Sequence, residues 1–213
     1  MSKLSVAVVG LGSIARKAHL PVLAVHPGVD VVGLASRTGA RVDELASQYR
    51  FHLKARTFEE ILALKPDAAY LLSATEVHPE QAVALLNAGI PVYMEKPLAN
   101  DLDGARQIVA AAEGRLCMVG FNRRYAPAYR RAKELFRDRP LELVQITKHR
   151  NGDHSGWGLR RVVMDDTIHI IDLARWFTGP GLQLKASYCR TGLTAAQLQT
   201  DTQAVHLSQT YGA

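Results

Sequence analysis

The chain has only two cysteines among its 213 residues, Cys117 and Cys189, and this scarcity excludes two classes of protein. Two thiols far apart in sequence cannot form the disulfide framework of a small secreted domain, and they show no paired metal-ligand spacing. Long apolar runs are also missing, since no stretch approaches the roughly 20 residues of a membrane span. Only a few residues precede the first apolar run, which is too short for a signal-peptide core. We therefore expect a cytoplasmic globular protein without a bound metal.

Concentrated charge is absent too, although the chain is basic overall. It has 26 Lys and Arg against 20 Asp and Glu, a formal net charge of +6. The basic residues are scattered, and the densest groups are only the pairs Arg123-Arg124, Arg130-Arg131 and Arg160-Arg161. A nucleic-acid surface would gather them into one patch. We expect neither a nucleic-acid nor a membrane partner, and a solvated surface or a phosphate-bearing ligand accounts for the excess.

Residues 1–121 alternate between two hydrophobic periodicities. Short β-branched runs predict buried parallel strands at Val6–Gly10, Val29–Ala35, Ala68–Ser73, Val92–Glu95 and Cys117–Phe121, with a weak sixth strand near Leu53–Ala55. Segments with helical spacing lie between them, at Arg41–Tyr49, Phe58–Leu64, Pro79–Ala88 and Leu102–Glu113. Repeated strand–helix–strand units of this kind predict an α/β fold, a Rossmann doubly wound parallel sheet.

The pattern changes over residues 122–213, which we predict to form a smaller α+β domain. The expected elements are helices at Ala126–Phe136 and Asp165–Phe177, strands at Leu141–Arg150, Leu184–Arg190 and Thr202–Tyr211, and a Gly-rich loop at Asn151–Arg161. Three strands and two helices make a thin domain with an open, meander-like sheet. We therefore expect either a shortened domain or a partner that covers the open edge.

A glycine-rich turn ends the first predicted strand and opens a helix, with the sequence Gly10-Leu11-Gly12-Ser13-Ile14-Ala15. Gly10 permits a tight turn, Gly12 allows a pyrophosphate to approach the backbone, and Ala15 lets helix and strand pack closely. The following helix directs its first amide groups at the phosphates. This context predicts a dinucleotide site, whereas a tight turn without a ligand is the alternative.

The end of the second predicted strand bears on which dinucleotide binds. An NAD site usually places Asp or Glu there for the ribose 2′-hydroxyl, but this chain has Ser36-Arg37-Thr38. A guanidinium can pair with a 2′-phosphate and no carboxylate repels it. We expect NADP(H) to be preferred over NAD(H), unless Arg37 is only a solvated loop residue.

Two further groups carry candidate chemistry. Lys96 lies in Glu95-Lys96-Pro97 at the carboxyl end of a predicted strand, where a lysine can stabilise charge on a substrate oxygen. Asp165, His169 and Asp172 fall at i, i+4 and i+7 of one helix, and a histidine near a carboxylate suits proton transfer. A surface lysine and a capping aspartate are the simpler alternatives. A metal site completed by His149 or His154 has no diagnostic spacing.

Together these residues resemble the Gfo/Idh/MocA family of oxidoreductases. The resemblance rests on four motifs in family order: Gly10-x-Gly12-x-x-Ala15; Glu95-Lys96-Pro97 with His78 and Ala88-Gly89 upstream; Gly120-Phe121-Asn122-Arg123-Arg124-Tyr125; and Asp165-x-x-x-His169-x-x-Asp172. The segments Lys148–Asn151 and Met164–Asp172 are most similar to the MviM-like branch.

The resemblance implies reversible oxidation, with NAD(P), of a hydroxyl on a sugar, cyclitol or related small molecule. It implies that Lys96 binds the reacting hydroxyl, that His169 is the acid/base and that Asp165 orients it. Cofactor contacts are expected from Gly10, Gly12, Ser13, Ile14, Ser36, Arg37, Ser73, His78, Glu95 and Lys96. Substrate contacts are expected from Asn122, Arg123, Tyr125, Asp165 and His169, with Tyr125 a substitute proton donor. A homodimer through the C-terminal sheet is implied as well. The rival function is a non-catalytic NAD(P)-binding regulator or scaffold.

The chain departs from the family pattern in three ways. Ser73-Ala74 stands where the family has Thr-Pro, and Thr167 replaces a glycine between the catalytic Asp and His. Family members also continue well beyond the length of this chain. We therefore expect the C-terminal substrate and dimerisation domain to be incomplete relative to the family.

Overall fold

A computed structural model describes residues 2–139, 141–151, 156–190 and 192–212. It divides the chain into two compact units, Met1–Gly120 and Phe121–Ala213, where the sequence predicted a boundary after residue 121. None of the helices in the described residues combines the length and the apolar character needed to cross a bilayer.

The first unit contains a five-stranded, all-parallel sheet. Its strands are β1 (Leu4–Val9), β2 (Val29–Ala35), β3 (Ala68–Leu71), β4 (Val92–Met94) and β5 (Cys117–Val119), in the order β2-β1-β3-β4-β5. On β1, Ala7 and Val9 belong to one hydrophobic core and Val8 to a second. Since both faces of the strand are buried, helices must cover both sides, which confirms the predicted doubly wound fold.

The predicted sixth strand near Leu53–Ala55 is reduced to an isolated parallel bridge between Gly33 and Ala55. Only Lys54 and Ala55 reach the backbone of β2, where both amides donate to the Val32 carbonyl at 2.7 and 3.1 Å. With this bridge counted as the third strand, the sheet order becomes the 3-2-1-4-5-6 order of a Rossmann fold.

Helical segments connect the strands of the first unit. They are a π-helical turn (Ala15–His19), α1 (Leu20–Val25), α2 (Val42–Tyr49), α3 (Phe58–Leu64), a 3₁₀ turn (Thr75–Val77), α4 (His78–Asn87) and α5 (Leu102–Ala111). Two starts have side-chain caps: the Thr57 hydroxyl accepts from the Glu60 amide at 3.1 Å, and the Asp101 carboxylate from the Gly104 amide at 2.8 Å. Such caps satisfy amides that the first helical turn leaves unpaired.

The second unit contains a four-stranded mixed sheet, one strand more than predicted. The strands are β6 (Leu143–Asn151), β7 (Gln183–Arg190), β8 (Leu193–Gln199) and β9 (Ala204–Gly212), in the order β6-β9-β8-β7. β6 and β9 are parallel, whereas β7, β8 and β9 form an antiparallel meander. The expectation of three meander-like strands is therefore wrong, because β8 was missed and the pairing of β6 with β9 is parallel.

The helical segments of the second unit are a 3₁₀ turn (Asn122–Tyr125), α6 (Pro127–Leu135), α7 (Leu159–Arg161), a π-helical turn (Val162–Thr167) and α8 (Ile168–Thr178). Helix α8 packs on one face of the four-stranded sheet. Ile170 and Ala174 of α8 pack against Val205 and Leu207 of β9. The predicted loop at 151–161 ends in helix α7, while residues 152–155 lie outside the described part of the chain.

Candidate active site

The carboxyl edge of the parallel sheet brings the predicted cofactor residues to one side of the first unit. They follow four neighbouring strands in turn: Gly10, Gly12, Ser13 and Ile14 come after β1, Ser36 and Arg37 after β2, Ser73 and His78 after β3, and Glu95 and Lys96 after β4. β1 and β3 are neighbours, and the chain leaves them in opposite directions across the sheet. Ligands of open α/β sheets bind at such a switch point.

The two glycines of the turn after β1 play different roles. Gly10 has φ +95°, and a Cβ there would lie 2.3 Å from the Ser73 amide nitrogen, so only glycine fits against the end of β3. A Cβ on Gly12 would meet no atom of the described residues within 4 Å. Gly12, Ser13 and Ile14 are exposed whereas Ala15 is fully buried. The turn is thus closed against the protein at Gly10 and open at Gly12, as a dinucleotide cradle requires.

The loop after β2 presents two exposed cations, Arg37 and Arg41, and no carboxylate. Arg37 is exposed, and Ser36 is half-buried with its hydroxyl donating to the Ala40 carbonyl at 3.0 Å. The Ser36 hydroxyl therefore organises its own loop, and Arg37 is the charged group that follows β2 most closely.

His78 links the ends of β3 and β4. Its ring is 1% exposed, with Nδ1 3.0 Å from the Pro97 carbonyl oxygen and Nε2 3.2 Å from the Ser73 carbonyl oxygen. The Ser73 hydroxyl donates to Gln81 at 2.7 Å. Because the imidazole is enclosed by protein, its hydrogen bonds fix the backbone next to Lys96. Lys96 itself follows β4 and is half-buried.

Sequence reasoning missed His19, which lies in the π-helical turn after the glycine motif. His19 Nε2 is 3.3 Å from Glu95 Oε1, and its ring lies 5.6 Å from Tyr70 and 5.5 Å from Tyr93. The other oxygen of Glu95 accepts from the Lys96 amide at 3.3 Å. A lone histidine in a helix has no diagnostic spacing, so only the contact across 76 residues reveals this pair.

In the second unit an ion pair anchors the turn that carries the predicted substrate residues. The turn Asn122–Tyr125 exposes Asn122 and Tyr125 and half-buries Arg123. Arg124 donates through Nε to both oxygens of Asp172, at 3.0 and 2.8 Å, and also through its terminal nitrogen. Hydrogen bonding to Asp172 raises the pKa of the Arg124 guanidinium. The expectation that Asp172 shares an open polar face with Asp165 and His169 is therefore wrong, because Asp172 is buried against this arginine.

Asp165 and His169 lie on either side of the junction between the π-helical turn and α8. The Asp165 carboxylate is 3.4 Å from Arg161 Nε and is 45% exposed, and His169 is half-buried in the first turn of α8. Asp165 lies in the π-helical turn and His169 in α8, and a π-helix has a different number of residues per turn from an α-helix. The i, i+4 spacing therefore does not by itself place the two side chains on one face.

The neighbouring carboxylate, Asp166, was not singled out from the sequence, although it has the most contacts in this unit's polar network. It is 1% exposed and is bonded by Lys148, by Arg150 at 2.9 Å, by Gln209 and by the Tyr211 hydroxyl at 3.1 Å. Burial alone would raise the pKa of Asp166, but these bonds and the charges of Lys148 and Arg150 lower it. A sequence signal existed, because Lys148 and Arg150 follow the alternation of apolar residues that face the core from β6. Two cations at such positions indicate a buried carboxylate opposite them.

Among the described residues no group of three His, Cys, Asp or Glu side chains is placed to hold a metal ion. His149 is described, whereas His154, the other histidine considered for such a site, lies outside the described part of the chain.

Comparison with known proteins places the chain in a family. Residues 4–123 match the family model described as "Oxidoreductase family, NAD-binding Rossmann fold", and residues 127–207 match the YceM-like C-terminal domain. The YceM protein of Salmonella typhimurium is 37% identical over 181 residues, covering 84% of this chain and 58% of the relative. An inositol 2-dehydrogenase of Paracoccus denitrificans is 34% identical over 182 residues, covering 81% and 54%.

A solved structure of a Gfo/Idh/MocA family oxidoreductase from Vibrio cholerae superposes with a TM-score of 0.84 at 30% identity, covering 98% of this chain and 70% of that one. The chain spans little more than half the length of the two curated relatives. The matched model covers more than half of this chain, and the glycine turn and Lys96 lie at the sheet edge that the family motifs require. The chain therefore belongs to the Gfo/Idh/MocA family of oxidoreductases.

Proposed function

We propose that the protein transfers a hydride between a nicotinamide dinucleotide and a hydroxyl or keto carbon of a sugar, cyclitol or related small molecule. The observation that carries the proposal is the carboxyl edge of the first sheet. There the turn after β1 is open over Gly12, and Lys96 follows β4. The family model, described as NAD-binding, matches this whole unit.

Gly10, Gly12, Ser13 and Ile14 would hold the pyrophosphate, with Ser73, His78 and Glu95 shaping the nicotinamide end of the site. The bound dinucleotide supplies the two-electron redox chemistry, and the protein supplies orientation and electrostatics. His78 acts as a positioning residue, since its buried ring holds the backbone on both sides of the cleft edge at Ser73 and Pro97.

Lys96 binds the reacting oxygen and stabilises the charge that develops on it. His169 moves the hydroxyl proton, with Asp165 orienting it. Asn122, Arg123 and Tyr125 contact the rest of the substrate from the turn that Arg124 and Asp172 anchor.

NADP(H) is the preferred cofactor in this proposal, because Arg37 is exposed after β2 and no acidic residue stands there. Arg37→Gln should weaken NADPH binding about tenfold, the value of one charge-assisted hydrogen bond, and leave NADH binding unchanged. Arg50→Gln, an exposed arginine of the same unit, is the matched control. Tighter binding of NADH than NADPH by the wild-type protein would contradict the assignment.

The C-terminal sheet is the proposed dimer surface. Every residue of the edge strand β7 is exposed, including Leu184 at 61% and Tyr188 at 55%. Tyr188→Arg should therefore shift a dimer to monomer in analytical ultracentrifugation, and an unchanged mass would contradict this surface. A cytoplasmic setting suits the two free thiols.

The activity is tested by screening sugars and polyols for protein-dependent reduction of NADP and NAD. His169→Gln should lower kcat by about 10²–10⁴-fold, the usual contribution of general acid–base assistance, and leave the cofactor Kd unchanged. His206→Gln, exposed on β9, is the control. Cofactor binding without turnover of any substrate would instead favour the non-catalytic regulator.

A further inference from the structure

One face of the parallel pair β6–β9 changes from apolar to charged along the strands. At the start of the strands this face carries Val144, Ile146, Val205 and Leu207, which pack under α8. Towards the carboxyl ends it carries Lys148, Arg150, Gln209 and Tyr211, since Lys148 pairs in register with Gln209 and Arg150 with Tyr211. The alternation along both strands is unbroken, so the charged residues occupy positions that would otherwise extend the core.

Asp166 compensates only part of this charge. Both of its oxygens are occupied: Oδ1 accepts from Lys148 and Arg150, and Oδ2 accepts from Gln209 and Tyr211. A carboxylate with four donors has little capacity left for a further cation. One of the two cations on β6 is therefore matched by Asp166, and the charge of the other remains.

The nearby Arg161 does not change this balance, because it pairs with Asp165 at 3.4 Å. Burial lowers the pKa of Lys148, Asp166 opposes that shift, and the nearby positive charges of Arg123 and Arg150 lower it further. Among the described residues, Lys148 and Arg150 thus share the one carboxylate of Asp166, and one positive charge of this pair remains.

The Trp157 ring contacts two of the guanidinium groups in this region. It lies 5.7 Å from the Arg150 guanidinium carbon and 4.3 Å from that of Arg161. Contact with an aromatic ring restrains a guanidinium while leaving the donors at its edge available, and this fork matches the oxygens of a carboxylate or phosphate. Arg150 is 45% exposed and Lys148 13%, so a ligand can reach the arginine above a partly buried amine.

We propose that the basic pair Lys148–Arg150 binds an oxyanion of the substrate. The preferred substrates are then acidic sugars or polyols, carrying a carboxylate or a phosphate, rather than neutral ones. This inference rests on the proposed function for the identity of the reacting molecule, but the anion site itself depends only on residues of the second unit. Partly buried cations without a counter-ion are costly, and a bound oxyanion removes that cost.

The test is calorimetric titration of the full chain with D-glucuronate, D-glucose 6-phosphate, D-glucose and inorganic phosphate. Either acidic sugar should bind at least about tenfold more tightly than glucose, the value of one charge-assisted contact. Arg150→Gln should remove about that factor for the acidic sugars and leave glucose unchanged. Arg175→Gln, an exposed arginine of α8, is the matched control and should bind like wild type. Thermal unfolding checks that each variant is folded.

Equal affinity for glucose and both acidic sugars would overturn the proposal, as would unchanged binding by a folded Arg150→Gln variant. Inorganic phosphate binding as tightly as glucose 6-phosphate would identify the free ion as the ligand and overturn the substrate assignment. The two proposals fail separately. Reduction of cofactor by neutral polyols only would refute the anion site, whereas tight anion binding with no cofactor reduction would refute the oxidoreductase function.

Discussion

The two glycines of the turn after β1 predict opposite consequences for the same substitution. In Gly10→Ala the new methyl group would lie 2.3 Å from the Ser73 nitrogen, 2.5 Å from the Leu72 carbonyl carbon and 2.6 Å from the Leu72 oxygen. All three are backbone atoms, so no side chain can rotate away. Reaching an ordinary contact distance requires the turn and the end of β3 to separate by about 1 Å.

The cost of that separation can be estimated from its parts. The left-handed φ of Gly10 costs an alanine about 1–2 kcal/mol, and moving the turn weakens the 2.7 Å hydrogen bond from the Leu72 amide to the Val9 carbonyl, which is worth about 1 kcal/mol. With lost packing we expect about 3–5 kcal/mol of destabilisation, or a Tm roughly 10 °C lower. Differential scanning calorimetry or a urea titration measures this directly.

Gly12→Ala is the matched comparison, since its methyl group meets no described atom within 4 Å. Its stability should stay within about 0.5 kcal/mol of wild type, while NADPH affinity should fall at least about tenfold because the methyl occupies the pyrophosphate approach. If Gly10→Ala unfolded at the wild-type temperature, the close approach would be wrong. If Gly12→Ala bound cofactor normally, the turn would not be the cradle.

Three further substitutions test the polar contacts. The folded-state pKa of Asp166 is lowered, so its contribution to stability is present above the unfolded carboxyl pKa of about 3.9 and is lost as pH falls through the folded value. Asp166→Asn should therefore reduce the loss of unfolding free energy at acidic pH, as measured by urea unfolding. An unchanged pH dependence would refute the contacts of Asp166 with Lys148 and Arg150. Asp172→Asn removes the charged partner of Arg124 and should destabilise the protein by about 1–2 kcal/mol, a value discounted because the Arg124 side chain is 38% exposed. Asp103→Asn, in an exposed ion pair, should cost under about 0.5 kcal/mol. Equal melting temperatures for the two variants would disprove the anchoring role of Asp172. His78→Ala should cost about 2–3 kcal/mol and lower kcat more than it raises KM, and a variant with wild-type kcat would show that the ring does not position the end of β4.

The elements of the first unit were predictable because their signal is local. β2 and α3 have the predicted bounds, and the other strands differ by a few residues at their ends. Buried parallel strands are short apolar runs, and their spacing by helices follows from the crossover that parallel pairing requires. The segment near Leu53–Ala55 failed as a strand because only the end of the run reaches the backbone of β2.

β8 shows where local signal is insufficient. Its sequence, Leu-Thr-Ala-Ala-Gln-Leu-Gln, consists mainly of good helix formers, and Thr194 is its only β-branched residue. It is nonetheless a strand because β7 and β9 pair with it on both sides. The backbone hydrogen bonds to β7 and β9 stabilise the strand, and the seven residues of β8 alone give no sign of them.

The residues of the candidate site also differ in how far the local sequence could place them. Lys96 and the residues after β1, β2 and β3 could be placed at one edge because the carboxyl ends of parallel strands coincide. The pairs His19–Glu95 and Arg124–Asp172 could not, since they join residues 76 and 48 positions apart and their partners carry no motif. Whether a motif residue is exposed or buried depends on such partners, which is why Asp172 was misjudged.

Asp165 and Asp166 are adjacent, yet they have different physical roles. Successive residues of a helix project in different directions, so only one of the two carboxylates meets Lys148 and Arg150 on β6. Asp166 makes that contact and is bonded to two strands at once. Because the backbone is shared, fixing Asp166 also restricts the direction in which the Asp165 side chain leaves the helix and the position of His169 in the first turn of α8. We therefore expect Asp166 to act on the proposed acid/base by positioning it rather than through its charge. It follows that Asp166→Asn, which preserves shape and part of the hydrogen bonding, should impair turnover less than Asp166→Ala, which removes the contact to the sheet. The reverse order would show that the charge of Asp166, and not its position, matters to the site.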